Sequence, residues 1–217
     1  IAEAVVHSES VALGRLEPTP AYQPVGEHLA ADQAAAANHA SGPARIIAPA
    51  GSGKTRTLTA RLRHLLDDRQ VEPQTLCALA YNTRAAAELR ERAGVTSGAL
   101  VRTVHSLGWE ILREARRGVT LLDEREVRAI LDRIVRAPRR PNTDSIGPFL
   151  EALSETRIAL RTPELVEAGR DDVPDFAAVY DRYRGRLRRA NEADFDEQVY
   201  GAIEALLAEP ELRRRWQ

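Results

Sequence analysis

The stretch that decides the fold is "RIIAPAGSGKTRTLT", residues 45–59. With Ala44 it reads as a short buried-type strand, "ARIIA" (44–48), then a turn, "PAGSG" (49–53), then a helix opening at Lys54. That helix continues through "ARLRHLLDD", where Leu58, Leu62, Leu65 and Leu66 recur at the spacing of one helical face. In this context backbone N–H groups of the turn and of the helix N-terminus converge on a phosphate. Gly51 and Gly53 supply backbone angles closed to other residues and let phosphate oxygens come close. Lys54 reaches the β and γ phosphates, and Thr55 offers its hydroxyl to Mg²⁺. Lys54 is the one lysine in a chain with 31 Lys and Arg residues. A compact ammonium on a flexible stem suits a crowded triphosphate better than a planar guanidinium. Two residues depart from the pattern G-x-x-x-x-G-K-[ST]. Ala48 stands at its first glycine, and Pro49 brings a fixed φ and no N–H to donate.

Outward from the loop, "EHLAADQAAAANHA" (27–40) is Ala-rich and helix-prone. "TLCALAY" (75–81) and "ALVRTV" (99–104) read as two further strands, separated by a helix over 83–93 that Gly94 can close, and "SLGWEILREARR" (106–117) reads as the next helix. Strand and helix in alternation predict an α/β part with a parallel sheet and helices on both faces. After residue 120 the strand signals stop. Helical spacing recurs over 121–137, 145–160, 175–190 and 194–209, with a loop at "APRRPNTD" (137–144). The predicted organisation is an N-terminal extension and linker (1–25), the first part of a nucleotide-binding α/β domain (26–118), a helical subdomain (119–193), and a helix returning toward the α/β domain (194–217).

Hydrophobic residues at 43% and charged residues at 29% are ordinary for a soluble globular protein. No apolar run approaches the roughly 18 residues of a membrane span. A single cysteine, Cys77, excludes an internal disulfide and suits a reducing setting. The chain opens on Ile and lacks Met, so it reads as a piece of a longer one. Net charge is −1, unevenly spread: −4 over residues 1–40, +6 over 41–120, −3 over 121–217. The positive excess lies in the motif-bearing segment, which fits a polyanionic partner and equally an Arg-rich solvated surface.

Four ordered segments resemble the N-terminal part of UvrD/Rep-type superfamily 1 DNA helicases. "LAADQAAA" is similar to L-x-x-x-Q-x-x-A, and "APAGSGKTRTL" to A-G-A-G-S-G-K-T-R-x-L, which itself carries Ala where the general pattern has Gly. "ALAYNTRAAAEL" resembles L-T-F-T-N-K-A-A-x-E-M, and "RTVHSLG" resembles T-F-H-S-L/M. A weaker fifth match is "ADFDEQV" to D-F-D-D-L. In the third segment Tyr81 stands for Phe, Asn82-Thr83 for Thr-Asn, and Arg84 for Lys.

The resemblance implies a partial RecA-like ATP-binding domain followed by a helical insertion subdomain, in a cytoplasmic ATP-dependent DNA helicase of repair or recombination. It implies that Gln33 reads adenine with Arg56 beside it, and that the loop Ala48, Pro49, Ala50, Gly51, Ser52, Gly53, Lys54 and Thr55 holds ATP and Mg²⁺. It implies that Tyr81, Asn82, Thr83, Arg84, His105 and Ser106 contact single-stranded DNA near a duplex junction. An aromatic ring at the end of a strand can stack on a base, and Arg84 can hold a phosphate. It further implies that an acidic V-D-E-x-Q-D segment, which holds Mg²⁺ and activates water, follows Gln217 in the parent, together with the remaining motor domains. By the same analogy the parent moves 3′ to 5′. Without that carboxylate, the chain alone reads as a nucleotide- and DNA-binding module that does not hydrolyse ATP. An unrelated phosphate-loop kinase or GTPase leaves Gln33, "AYNTRAA" and "TVHS" unexplained together.

Overall fold

The computed structural model describes residues 29–94, 100–135 and 144–217. The "IAEAVV" segment, the linker over 1–25 and all but the last residue of the 137–144 loop lie outside the described residues. The described residues are mixed α/β and mostly helical, with two short two-stranded sheets among them. The chain divides into two compact units, Ile1–Arg102 and Thr103–Gln217.

The first unit runs through α1 (Ala31–Ala37), α2 (Lys54–Arg63), β1 (Cys77–Ala80), α3 (Thr83–Ala93) and β2 (Leu100–Thr103), whose last residue falls across the division. α2 starts where the sequence predicts, because Gly53 in the left-handed region (φ 84°) ends the turn. Its last turn widens over His64–Asp68, where the Arg69 N–H reaches back five residues to the His64 carbonyl. α3 is capped at both ends. The Asn82 side chain accepts from the Ala85 N–H, and Gly94 closes the helix at φ 65°. β1 pairs with β2, and the small core between sheet and helices holds Leu62, Ala78, Ala86, Leu89, Ala93 and Val101.

The strand predicted over 44–48 does not form. No described strand pairs with these residues, and the apolar pair that suggested burial is open, Ile46 being 48% and Ile47 70% exposed. A strand is a pairing, not a local conformation, so an apolar run with no ladder partner remains irregular. The described sheet of this unit therefore has two strands instead of three.

The second unit comprises α4 (Val104–Ala115), β3 (Thr120–Leu121), α5 (Glu124–Ile134), α6 (Gly147–Ile158), α7 (Pro163–Ala168), α8 (Phe176–Ala190), β4 (Glu192–Ala193), α9 (Glu197–Ala208) and α10 (Pro210–Trp216). Its main core packs Phe149, Leu153, Phe176, Tyr183 and Leu187 with Leu131 and Val166. A smaller cluster joins Ile111, Ala202 and Leu212. The expectation that strands end before residue 120 needs correcting. β3 and β4 form a two-residue parallel ladder, extended by Thr120 N–H to Asn191 O (3.0 Å) and Leu122 N–H to Ala193 O (2.7 Å). Such short elements carry no periodicity for a sequence to display. α7 and α10 are likewise too short to stand out, though each opens with a proline in its first turn.

α4 and α9 pack closely at a glycine. A Cβ built on Gly108 would run into the Gln198 carbonyl oxygen and sit 3.0 Å from its carbonyl carbon and 3.2 Å from Val199 Cα. Only glycine allows this approach.

Candidate functional site

The phosphate loop in the first unit is a tight turn organised on one carbonyl. Pro49 O accepts from Lys54 Nζ (2.7 Å), from Ser52 Oγ (2.8 Å) and from the Ser52 N–H (3.4 Å). Lys54 Nζ also donates to Ala48 O (2.9 Å). The lysine thus lies folded across the loop's mouth, and the ammonium occupies the place where a phosphate's negative charge would compete for it. Gly51 (φ 78°) and Gly53 (φ 84°) both hold left-handed backbone angles, as the loop reading requires. Ala48 and Pro49 contribute carbonyls in place of amide donors, so proline's missing N–H does not break the turn. Thr55 and Arg56 are exposed in the first turn of α2.

Gln33, in the first turn of α1, is tied to this loop. Its Nε2 donates to Ser52 O (2.8 Å), and a Cβ on Gly53 would lie 2.8 Å from the same nitrogen. Gly53 is needed for its backbone angle, and any side chain there would also displace the Gln33 amide from Ser52. Arg61 of α2 donates to the carbonyls of Ala37 (3.0 Å) and His39, tying the end of α1 to α2. The 19-residue gap between Gln33 and Ser52 is thereby closed into one site.

The remaining candidates divide between the units. In the first, Tyr81 is 98% exposed at the end of β1, and Arg84 is exposed in the first turn of α3. Asn82 spends its side-chain oxygen on the α3 cap (2.8 Å to Ala85 N), and Thr83 is the first residue of that helix. In the second unit His105 and Ser106 belong to the first turn of α4. Ser106 completes a capping box: its N–H donates to Thr103 Oγ1 (3.1 Å) while its Oγ accepts from the Thr103 N–H (3.0 Å). The His105 ring stacks on Phe195, with centroids 4.1 Å apart and planes at 21°. Phe195 is 60% exposed. The sequence placed it inside the "ADFDEQV" match without giving it a role; the signal it offered was an aromatic set directly between two acids.

The turn bearing Phe195 is held by buried charges. Arg157 of α6 donates through Nη1 to both carboxylate oxygens of Asp194 (2.6 and 2.8 Å), and Tyr183 Oη donates to Asp194 Oδ2 (2.5 Å). Arg184 bridges Glu197 (2.7 Å) and Glu204 (2.7 Å). Burial pushes the Glu197 carboxyl up, against the pull of Arg184 and Arg157. Beside this turn runs a groove of about 840 Å³, whose lining includes six carboxylates against the guanidiniums of Arg128 and Arg157. That charge is wrong for a phosphate, so volume alone does not make this groove a phosphate site.

Residues 29–217 match the UvrD/REP helicase N-terminal domain. The chain belongs to that family. It is 30% identical, over 88% of its length, to the ATP-dependent DNA helicase PcrA of Staphylococcus aureus, covering 28% of that relative. It is 30% identical over 82% of its length to the ATP-dependent DNA helicase Rep of Buchnera aphidicola, covering 30% of it. Against Rep of Salmonella typhimurium it is 27% identical over 82%, covering 28%. The chain thus spans under a third of the length of these curated relatives. No helix among the described residues is long and apolar enough to cross a membrane.

Proposed function

We propose that this chain is the ATP- and single-stranded-DNA-binding N-terminal region of an ATP-dependent DNA helicase or translocase, cytoplasmic and acting in repair or recombination. In this reading residues 26–118 begin a RecA-like motor domain, 119–193 are its helical insertion, and 194–217 lead back toward the motor. The observation that carries it is the loop itself: two left-handed glycines, a lone lysine at a helix N-terminus, and Gln33 bonded to Ser52 beside them.

Nucleotide binding would draw Lys54 from the carbonyls of Ala48 and Pro49 onto the β and γ phosphates. The N–H groups opening α2 would take the remaining phosphate charge. Gln33 would meet the adenine edge, with Arg56 nearby. Thr55, exposed in the first turn of α2, is the residue here that would hold a nucleotide-bound Mg²⁺. The ion's contribution there would be neutralisation of phosphate charge. Tyr81 and the His105–Phe195 pair offer stacking surfaces to bases and Arg84 a phosphate contact, while Asn82, Thr83 and Ser106 shape the helix starts beside them.

The test is titration of the chain with a fluorescent ATP analogue and with a labelled oligodeoxythymidine. Lys54→Ala should abolish most nucleotide affinity, and Tyr81→Ala should weaken DNA binding by about 1–3 kcal/mol. Tyr81 is so exposed that its truncation should remove little packing. Normal ATP binding by Lys54→Ala would end the phosphate-loop reading, and unchanged DNA binding by Tyr81→Ala would take that ring off the strand path.

A further inference from the structure

Phe195 is the exposed member of a turn whose other residues are pinned. Asp194 on one side is buried and gripped by Arg157 and Tyr183; its Oδ1 also accepts the Glu197 N–H (2.9 Å). On the other side Asp196 faces the second nitrogen of the same guanidinium (3.4 Å), and Glu197 lies 3.7 Å from Arg157 and 2.7 Å from Arg184. One buried arginine thus contacts all three carboxylates that flank the ring, and it is itself only 3% exposed. The partner ring, His105, sits on α4, which Gly108 locks against the Gln198–Val199 backbone of α9. Both halves of the stack are therefore referenced to the start of α9.

A buried ion pair is a poor way to gain stability, because desolvation offsets its attraction and well-packed apolar residues would serve as well or better. What such a pair does well is fix geometry. A planar guanidinium with Nη1 on both Asp194 oxygens, Nη2 on Asp196 and Nε on the Leu153 carbonyl admits few orientations, where apolar packing admits several. Arg157 concentrates that constraint on the one turn that exposes an aromatic ring.

We propose that Arg157, assisted by Tyr183, is a positioning residue that holds the Asp194–Glu197 turn so that Phe195 and His105 present one stacked surface to a nucleic-acid base. The proposal rests on the DNA-binding reading above, and its test separates the two. Arg157→Lys keeps the charge and loses the fork; Tyr183→Phe removes only the hydroxyl that reaches Asp194, and serves if the first variant unfolds. Each is made alone and with Phe195→Ala. Affinity for a labelled oligodeoxythymidine is measured, with thermal unfolding to confirm the fold. His105 ring protons, which the stacked Phe195 ring shields, are followed by NMR.

Phe195→Ala should weaken DNA binding by about 5- to 150-fold. Arg157→Lys should weaken it by about 3- to 10-fold and should cost nothing further once Phe195 is gone, because it acts through that ring. The His105 resonances should move toward their unstacked positions in Arg157→Lys and, to a smaller extent, in Tyr183→Phe. Equal losses with and without Phe195, or an unmoved His105 signal in both variants, would overturn the positioning role and leave Arg157 as a staple of the fold. If Phe195→Ala binds DNA normally, the ring is not on the strand path. The base-presenting role then falls, and the NMR shift alone decides whether Arg157 sets the stack.

Discussion

Replacing Gly108 with alanine pits two physical effects against each other. In a helix interior alanine is favoured over glycine by about 0.5–1 kcal/mol. Against this, the new methyl would overlap the Gln198 carbonyl oxygen and lie 3.0 Å from its carbon, where ordinary carbon contacts are about 3.5–4.0 Å. The obstacle is backbone, which cannot rotate away as a side chain does. α4 and α9 must separate by about 0.5–1 Å, and a gap of that size forfeits a quarter to a half of each dispersion contact along the seam. Overpacking of this kind costs about 1–3 kcal/mol, so the net expectation is a loss of about 1–2 kcal/mol. For a chain of this length that lowers Tm by roughly 2–8 °C. Gly201→Ala on the facing helix is the control. Its methyl would lie nearest two side-chain atoms, Leu112 Cδ1 at 3.1 Å and Glu197 Oε1 at 3.2 Å, an approach less close than the one to the Gln198 backbone at Gly108. Its loss should be the smaller of the two. Circular-dichroism melts of both variants decide the matter. A Tm at or above the parent's for Gly108→Ala would show that the close approach of α4 and α9 does not constrain the unit as argued.

Ser106→Ala should lower stability by about 0.5–1.5 kcal/mol by removing the Thr103 N–H to Ser106 Oγ half of the α4 capping box, and leave oligodeoxythymidine affinity unchanged because the hydroxyl is already committed to Thr103. Reduced affinity at full stability would restore Ser106 to the DNA contacts. Acid titration tests the Arg184 network. Burial raises the Glu204 carboxyl, but the hydrogen bonds and charges of Arg184 and Arg188 outweigh it and hold it below its ordinary 4.5. A carboxyl whose folded value is lowered stabilises the protein above its unfolded value and loses that contribution as pH falls through the folded one. Chemical denaturation from about pH 6 to about pH 3 should therefore show an acid limb that Glu204→Gln makes shallower. An unchanged limb would mean that Arg184 does not hold Glu204 in solution.

The phosphate loop was legible because its signal is local. Gly51, Gly53, Lys54 and Thr55 specify a left-handed turn and a helix start within a few residues, and both appear where expected. Helices longer than about ten residues were legible for the same reason, since a 3.6-residue period needs only neighbours to declare itself. Asn82 and Ser106 were singled out, but as DNA contacts; the caps they form were within reach, since an Asn or a Thr-x-x-Ser before an apolar run carries that meaning too. The strand over 44–48 was misread because its apolar residues cannot reveal whether a partner strand lies beside them.

By itself, then, the sequence determined the family, the place of the glycine-rich turn before α2 and the run of most helices, all of which are written in contiguous residues. Tertiary structure alone decided that Gln33 bonds to Ser52 across 19 residues, that Phe195 lies on His105, and that Arg157 grips Asp194 from 37 residues away. Those pairings depend on how the chain closes on itself. A side chain's partner across such a distance is set by the packing of the elements that carry it, such as α4 against α9 at Gly108. No local propensity encodes that choice.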